Sequence, residues 1–242
     1  MNYRYLIGSF ANRLEISLLR ALGPRILRHY PIGRHWPFDV LRFFGAQPQV
    51  VIDAGANVGM TSRYMRRFFP TATIHAFEPV ADTFVALQKN LAHDPMVICH
   101  RAALGGQNAA QTIAVDPYSE KSTMVRLAEP GRSLEQVDMF TLDSFVEQQN
   151  LPAIGVLKID VQGFETQVLL GAHECFRQRR VRYVYAEVGF DNSDPETSFF
   201  PRVHEILTAN SFVLCGFYEH FRYGNNKQRL GFCNALYVLH ES

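Results

Sequence analysis

The sequence predicts a doubly wound α/β domain behind an N-terminal helical extension. Three observations carry that prediction. From Gln49 onward, short apolar runs of strand length alternate with helical patterns. Most of these runs close on a Gly, a Pro or an acid. The last two strand patterns follow one another with no helix between them, which implies an antiparallel finish to a parallel sheet.

The elements read in order as follows. VVIDAG is a buried strand with a glycine exit, and GMTSRYMRRFF is the helix after it. TIHAFEP is a strand closed by Pro79, followed by the helix ADTFVALQKNLA. MVICHRAALGG is a third strand and turn. Residues 105–136 are polar and rich in Gly, Pro and Ser, and read as an insertion over the sheet edge with one strand at QTIAV. TLDSFVEQQN is a short helix capped by Thr141 or Asp143. GVLKIDVQG is a strand, FETQVLLGAHECFRQ one helix, VRYVYAEVG a strand and SFFPRVHEILTAN a helix. FVLCGFYE and ALYVLH are the final strands, joined by a polar loop.

Composition narrows the function. The 242 residues are 47% hydrophobic and 19% charged, with a formal net charge of +1. That is globular composition, and it lacks the basic excess of a general nucleic-acid binder. A chain of this length buries about two-thirds to three-quarters of its unfolded surface, so it needs no covalent staples. Cys99, Cys175, Cys215 and Cys233 form no CxxC pair and read as free thiols. The N-terminus has no signal-peptide pattern and no run long enough to span a bilayer, so a cytoplasmic location is expected. The +1 is a balance of opposites. Residues 1–48 hold seven arginines against Glu15 and Asp39, a local +5, and residues 49–242 carry −4. Leu14, Leu18, Leu22 and Ile26 fall at helical intervals there, as in a core-docking helix or one that lies on a membrane surface or a partner. Residues 1–48 are therefore expected to be a helical extension, with peripheral membrane binding or self-association open, and residues 49–242 the α/β domain.

Three clusters carry chemistry. In DAGANVG, Asp53 closes a strand and Gly55 and Gly59 open a turn against which a ligand can lie. The turn is no G-x-G-x-x-G, because Asn57 stands at its centre, so nicotinamide binding is disfavoured. Glu78, at the next strand end before Pro79, suits the vicinal hydroxyls of a ribose. In KIDVQGFE, Lys158 and Asp160 share one strand face, and a Lys inside a covered sheet must be paired. Glu187 ends the following strand. Asp53, Asp160 and Glu187 then line three neighbouring strand ends, an arrangement that calls for a cation, a metal or a shared proton.

DAGANVG, the FEP acid, the turn Ala103-Leu104-Gly105, the TLD segment, KIDVQGFE and the later AEV occur in this order. Together they resemble the FkbM-type methyltransferase family, S-adenosylmethionine-dependent enzymes of the class I methyltransferase fold. The resemblance covers residues 49–240 and implies a Rossmann-like sheet of seven strands, the last antiparallel. It implies that Asp53, Gly55, Ala56, Asn57 and Gly59 hold the methionine part of S-adenosyl-L-methionine. It also implies that Glu78 and Pro79 lie at the ribose, and Arg101, Ala102, Ala103 and Leu104 near the adenine. Asp160 and Glu165 would sit by the transferred methyl or orient the acceptor. Phe164 departs from the family, which often has a small residue there.

The acceptor expected from the family is a hydroxyl on a sugar, glycan or glycoconjugate. A non-sugar metabolite hydroxyl, an amine acceptor, and a scaffold that kept only the fold are the alternatives. The candidate catalytic set is Asp160, Glu165, Glu187, Lys158 and His220. Asp160 is the first candidate base, with His220 and His204 as alternatives. A divalent metal on Asp160, Glu165 and Glu187 is possible by ligand chemistry. The loops 105–136 and 217–234, with Tyr118, Arg126, Arg132, Arg222, Tyr223 and Asn225, are expected to choose the acceptor.

Overall fold

The structure, a computed structural model, describes residues 31–44, 47–115 and 133–240. The chain divides into two compact units, Met1–Ala46 and Gln47–Ser242. In the first, the described residues form helix α1 (Trp36–Phe44), where Asp39 accepts a 2.8 Å bond from the Gly33 N–H. The helical spacing expected over Leu14 to Ile26 lies outside the described residues, as do Tyr118, Arg126 and Arg132. Among the described residues no helix is long and apolar enough to cross a membrane.

The second unit starts as the alternation predicts. β1 (Val50–Ala54), α2 (Met60–Phe68), β2 (Thr73–Phe77), α3 (Ala81–Leu91) and β3 (Val97–His100) follow in turn. After them come β4 (Ala103–Leu104), β5 (Ala109–Val115), β6 (Ser133–Phe140) and α4 (Leu142–Gln148). The remainder is β7 (Ile154–Ile159), α5 (Glu165–Leu170), α6 (His173–Arg177), β8 (Val181–Gly189), α7 (Phe200–Ala209), β9 (Phe212–Tyr223) and β10 (Arg229–Leu239).

Seven strands form the main sheet in the order β3-β2-β1-β7-β8-β10-β9. The pairs from β3 through β8 are parallel, and β10 runs antiparallel to both neighbours. The last strand is thus reversed, as expected. β1 and β7 are buried along their whole lengths, which explains their continuous apolar runs: helices cover both faces of a parallel sheet. One face packs Ile52, Leu157, Val184 and Ala235 with Val168, Phe176 and Leu207 of the C-terminal helices. On the other, Ala76 meets Leu87 and Leu91 of α3.

Three local readings change, and the choice between two caps is decided. The insertion carries more order than one strand: β5 pairs with β6, and β6 with β4, in a second sheet. β6 escapes a sequence reading because SLEQVDMF is largely exposed, with only Val137 and Met139 buried. The helix expected over 164–178 is two, α5 and α6, broken at Gly171. A Cβ there would stand 2.0 Å from the Gly105 carbonyl oxygen, so the break is where the two sheets' connections meet. Thr141 caps α4 by accepting from Ser144 N, whereas Asp143 accepts from Glu174 N and Cys175 N and so serves α6. The polar loop between the last strands is mostly strand, because β9 is the outer strand and its solvent-facing residues can be polar.

A histidine pair, His75 buried and His100 half-buried, links β2 to β3. His75 Nδ1 lies 3.0 Å from His100 Nε2, Phe77 stacks on His100 at 4.6 Å, and the Phe145 ring meets both histidines edge-on. One nitrogen must donate and the other accept, so the geometry is incompatible with both rings being protonated. Burial, and then the neighbouring His75, pushes His100 down to about 4, and burial lowers His75 as well. These are bases held neutral, so as pH falls the unfolded chain takes up protons first. Their stabilisation is full above pH 6.5 and is lost progressively towards pH 4. H100Q keeps a hydrogen-bonding side chain and removes the titration. Urea denaturation at pH 7.5 and pH 4.5 is expected to show wild type losing about 1–2 kcal/mol more than H100Q over that interval, after discounting for solvent screening. Equal losses would remove the pair from the account of acid stability.

Candidate active site

The strand order reverses between β1 and β7, and the chain leaves both strands there on the same edge. Ligands in open α/β sheets sit in the crevice at such a reversal. Gly55 leaves β1 with φ 76°, and a Cβ on it would come within 1.8 Å of the Asp160 carbonyl oxygen. Only glycine permits that approach. The N–H groups of Gly55 and Ala56 donate to Phe77 O at 3.1 and 2.8 Å, which ties the turn to the end of β2. Gly59 has φ 87° and begins α2 with no side-chain cap, leaving first-turn N–H groups for a ligand.

Beneath this turn lies a buried ion pair. Lys158 Nζ is 2.9 Å from Asp53 Oδ1 and 3.7 Å from Asp160 Oδ2. It also donates to the carbonyls of Gly55 at 2.9 Å and Ala54 at 3.3 Å. Asp53 takes a further 2.6 Å bond from Ser62 Oγ. Burial works against the Lys158 charge, but Asp53 and Asp160 outweigh it and hold its ammonium above its ordinary value.

Above the turn is a cavity of about 620 Å³, within the range of small-molecule sites. Gly55, Ala56, Asn57, Glu78, Pro79, Ala102, Ala103, Leu104, Asp160 and Glu187 of the expected residues line it. Glu78 accepts from Asn57 N at 3.1 Å and Val80 N at 3.0 Å, and burial pushes its carboxyl up to about 7. Glu187, 7% exposed, is also raised, first by burial and then by the Asp160 charge. Asp160 stays accessible at the mouth, held by Gln162 Nε2 at 3.2 Å. Phe164 lines the cavity too and reaches Gly105, so the family's small residue is replaced by a wall.

Other expected residues stand elsewhere. Asp53 and Lys158 lie under the turn rather than in the cavity, and Gly59 packs on Leu87 and Leu91. Arg101 is half-exposed in an ion pair with Glu135 at 2.9 Å. Glu165 is fully buried: Oε1 accepts from Val161 N and Gly163 N, and Oε2 from Ser198 N. It fastens the turn that carries Gln162 at φ 54° and Gly163 at φ 90°. His220 is exposed on β9 and does not line the cavity, and His204 is held by Tyr237 Oη at 3.2 Å and stacks on Phe200. Among the described residues, no group of three or more His, Cys, Asp or Glu is placed to hold a metal ion, and both Glu165 oxygens accept from backbone N–H groups.

Sequence reasoning passed over Asp194, Glu196, Thr197 and Phe232, all in the lining. A signal existed for the first three. DNSDPETS follows the carboxyl end of β8, where an acid-rich exit loop of an open sheet faces the crevice.

Comparisons with known proteins agree with this geometry. The model of the methyltransferase FkbM domain matches residues 53–214. The 31-O-demethyl-FK506 methyltransferase FkbM of Streptomyces tacrolimicus is 27% identical over 169 residues, 57% of this chain and 65% of that protein. The hexuronic acid methyltransferase AglP of Haloferax volcanii is 27% identical over 160 residues, 64% of each chain. The chain thus spans roughly three-fifths to two-thirds of the length of the curated relatives it matches. Among solved structures, the METTL16 methyltransferase domain superposes with a TM-score of 0.51 at 8% identity, over 85% of this chain and 67% of that one, a likeness of fold. With its glycine turn, acid-lined crevice and matching domain model, this chain belongs to the FkbM methyltransferase family.

Proposed function

We propose that the protein is an S-adenosylmethionine-dependent O-methyltransferase acting on a hydroxyl of a sugar, glycan or glycoconjugate. The observation that carries this reading is the set of acids around the glycine turn: Glu78, Asp160 and Glu187 line one cavity. The relatives named for O-demethyl-FK506 and for hexuronic acid support a hydroxyl acceptor and a sugar.

The residues fit the cofactor. The Gly55 cradle, which a Cβ would fill, admits a ligand against backbone, and the free N–H groups of α2 suit a carboxylate. Glu78 keeps lone pairs for the ribose hydroxyls beyond its two backbone bonds. Ala102 and Leu104 form an apolar wall for a base. The acids favour a cation at the centre. The bound cofactor would supply an electrophilic methyl group on a sulfonium.

The chain's own work is to position the acceptor, exclude water and take its proton. Positioning can contribute roughly 7–11 kcal/mol of a barrier. Asp160 is the base, an accessible carboxylate steadied by Lys158 and Gln162. Glu187 keeps its proton at neutral pH and can donate, so two neighbouring carboxyls take different roles. Lys158 and Glu165 are positioning residues that set the Gly55 turn and the 161–163 turn.

Ionised Glu78 is the better partner for ribose, and its carboxyl titrates at about 7, so affinity for S-adenosylhomocysteine should weaken as pH falls below 7. By calorimetry, E78Q should bind about 10–100-fold more weakly at pH 8 and lose the dependence between pH 6 and 8. An unchanged Kd would take Glu78 out of the cofactor site. D160N should keep its affinity for S-adenosylhomocysteine but lose about 10²–10⁴-fold in methyl transfer, measured with labelled cofactor. Full activity in D160N would assign the proton to another group.

A further inference from the structure

Besides the Gly55 turn, the cavity lining holds two groups of side chains of different chemistry. Tyr223, at the end of β9, and Phe232, on β10, form one. Phe221 stacks on Phe232 with centroids 4.7 Å apart and rings 11° from parallel, and meets Tyr223 edge-on at 5.0 Å. Phe221 and Tyr223 remain 47% and 40% exposed, an aromatic surface left open at the rim. The Tyr223 ring lies over Gly231, where a Cβ would be 2.2 Å from Cε2. Any side chain at 231 would lift the ring, so the glycine holds it flat over the hairpin.

The other group is polar and comprises Asp160, Glu187, Asp194, Glu196 and Thr197. Glu187 is nine-tenths buried and lines the cavity, and no described residue donates a hydrogen bond to it. No lysine, arginine or histidine occurs among the described residues of the lining.

We infer that the acceptor is a neutral sugar or polyol, seated with one C–H face on Tyr223 and Phe232 and its reacting hydroxyl toward Asp160 and Glu187. This rests on the O-methyltransferase reading above. Three acceptor classes separate on physical grounds. A uronic acid or phosphorylated sugar would bring a negative charge against the Asp160, Asp194 and Glu196 carboxylates, with no cationic side chain among the described residues of the lining. A primary amine would be held as its ammonium by the same carboxylates, and an ammonium has no lone pair with which to attack. A purely apolar acceptor would bury the acids without hydrogen bonds. A neutral pyranose satisfies both groups, since its hydroxyls donate to carboxylates and its C–H face covers the rings.

The test uses the purified full chain and matched sets of methyl glycosides: neutral, uronic-acid and 2-amino forms of the same sugars. Labelled S-adenosylmethionine reports transfer, and saturation-transfer NMR reports which ring protons touch the protein. Transfer to a neutral glycoside should have a kcat/KM at least tenfold above its uronic and amino counterparts, with saturation concentrated on one C–H face. Y223A should raise KM about tenfold while kcat and the Kd for S-adenosylhomocysteine move less than twofold, and Y223F should restore KM. Preference for the uronic or amino form, or an unaltered KM in Y223A, overturns the inference and leaves the methyltransferase reading standing. Binding of S-adenosylhomocysteine with transfer to no sugar defeats the sugar reading and this inference together. No binding of S-adenosylhomocysteine defeats the cofactor reading, and the inference with it.

Discussion

A buried ammonium organises this protein. Lys158 sits in the middle of a sheet covered on both faces, 3% exposed, where an unpaired charge would cost several kcal/mol. It is tolerated because four oxygens converge on it, from Asp53, Ala54, Gly55 and Asp160. Each belongs to the exit of β1 or β7, so satisfying one charge fixes the relative position of two strand ends. The Gly55 turn follows from that closeness, since its Cα has no room for a side chain beside the Asp160 carbonyl. Removing either partner would leave the other charge buried and alone, so the pair acts as a unit rather than as two separable contributions.

The same economy explains the raised carboxyls. Glu78 and Glu187 are acids whose folded state favours the protonated form. Each therefore subtracts stability as pH rises above the unfolded carboxyl range, the reverse of the histidine pair between β2 and β3. A fold gains nothing from gathering such groups at one edge of its sheet. A ligand that donates hydrogen bonds to them, or brings a positive charge among them, recovers that cost on binding. Strain of this kind belongs to a site rather than to a scaffold.

Legibility in the sequence follows how local the physics is. The parallel strands could be read because burial on both faces leaves unbroken apolar runs, as in VVIDA and IGVLKI. Lys158 could be read because a lysine in such a run demands a partner, and Asp53 and Asp160 supply it. The split at Gly171 could not, because its cause is the Gly105 carbonyl, distant in sequence. Nor could the place of Glu165. An acid in KIDVQGFE looks like part of the crevice, but the tight 161–163 turn directs backbone N–H groups onto it instead. β6 and the long arms of β9 and β10 are half-exposed, so solvent-facing polar residues hide their period.

The two halves of the cavity are therefore built differently. The half at the Gly55 turn, where we propose the cofactor binds, rests on parallel strand ends whose geometry one ion pair dictates, and a change there propagates through Lys158. The half at Tyr223 and Phe232, where we propose the acceptor sits, rests on an edge hairpin with irregular register between Phe232 and Asn234. Glu219 lies opposite that irregularity with φ 52°, and its carboxylate accepts from Tyr185 Oη and Asn234 Nδ2, both at 3.0 Å. That bulge bends the outer strand while keeping it clasped to β8 and β10. Side chains beyond the clasp, Phe221 and Tyr223 among them, can change without disturbing the buried charges. A fold arranged this way can hold one cofactor site constant while its rim is refitted to different acceptors, which is how one scaffold serves several substrates.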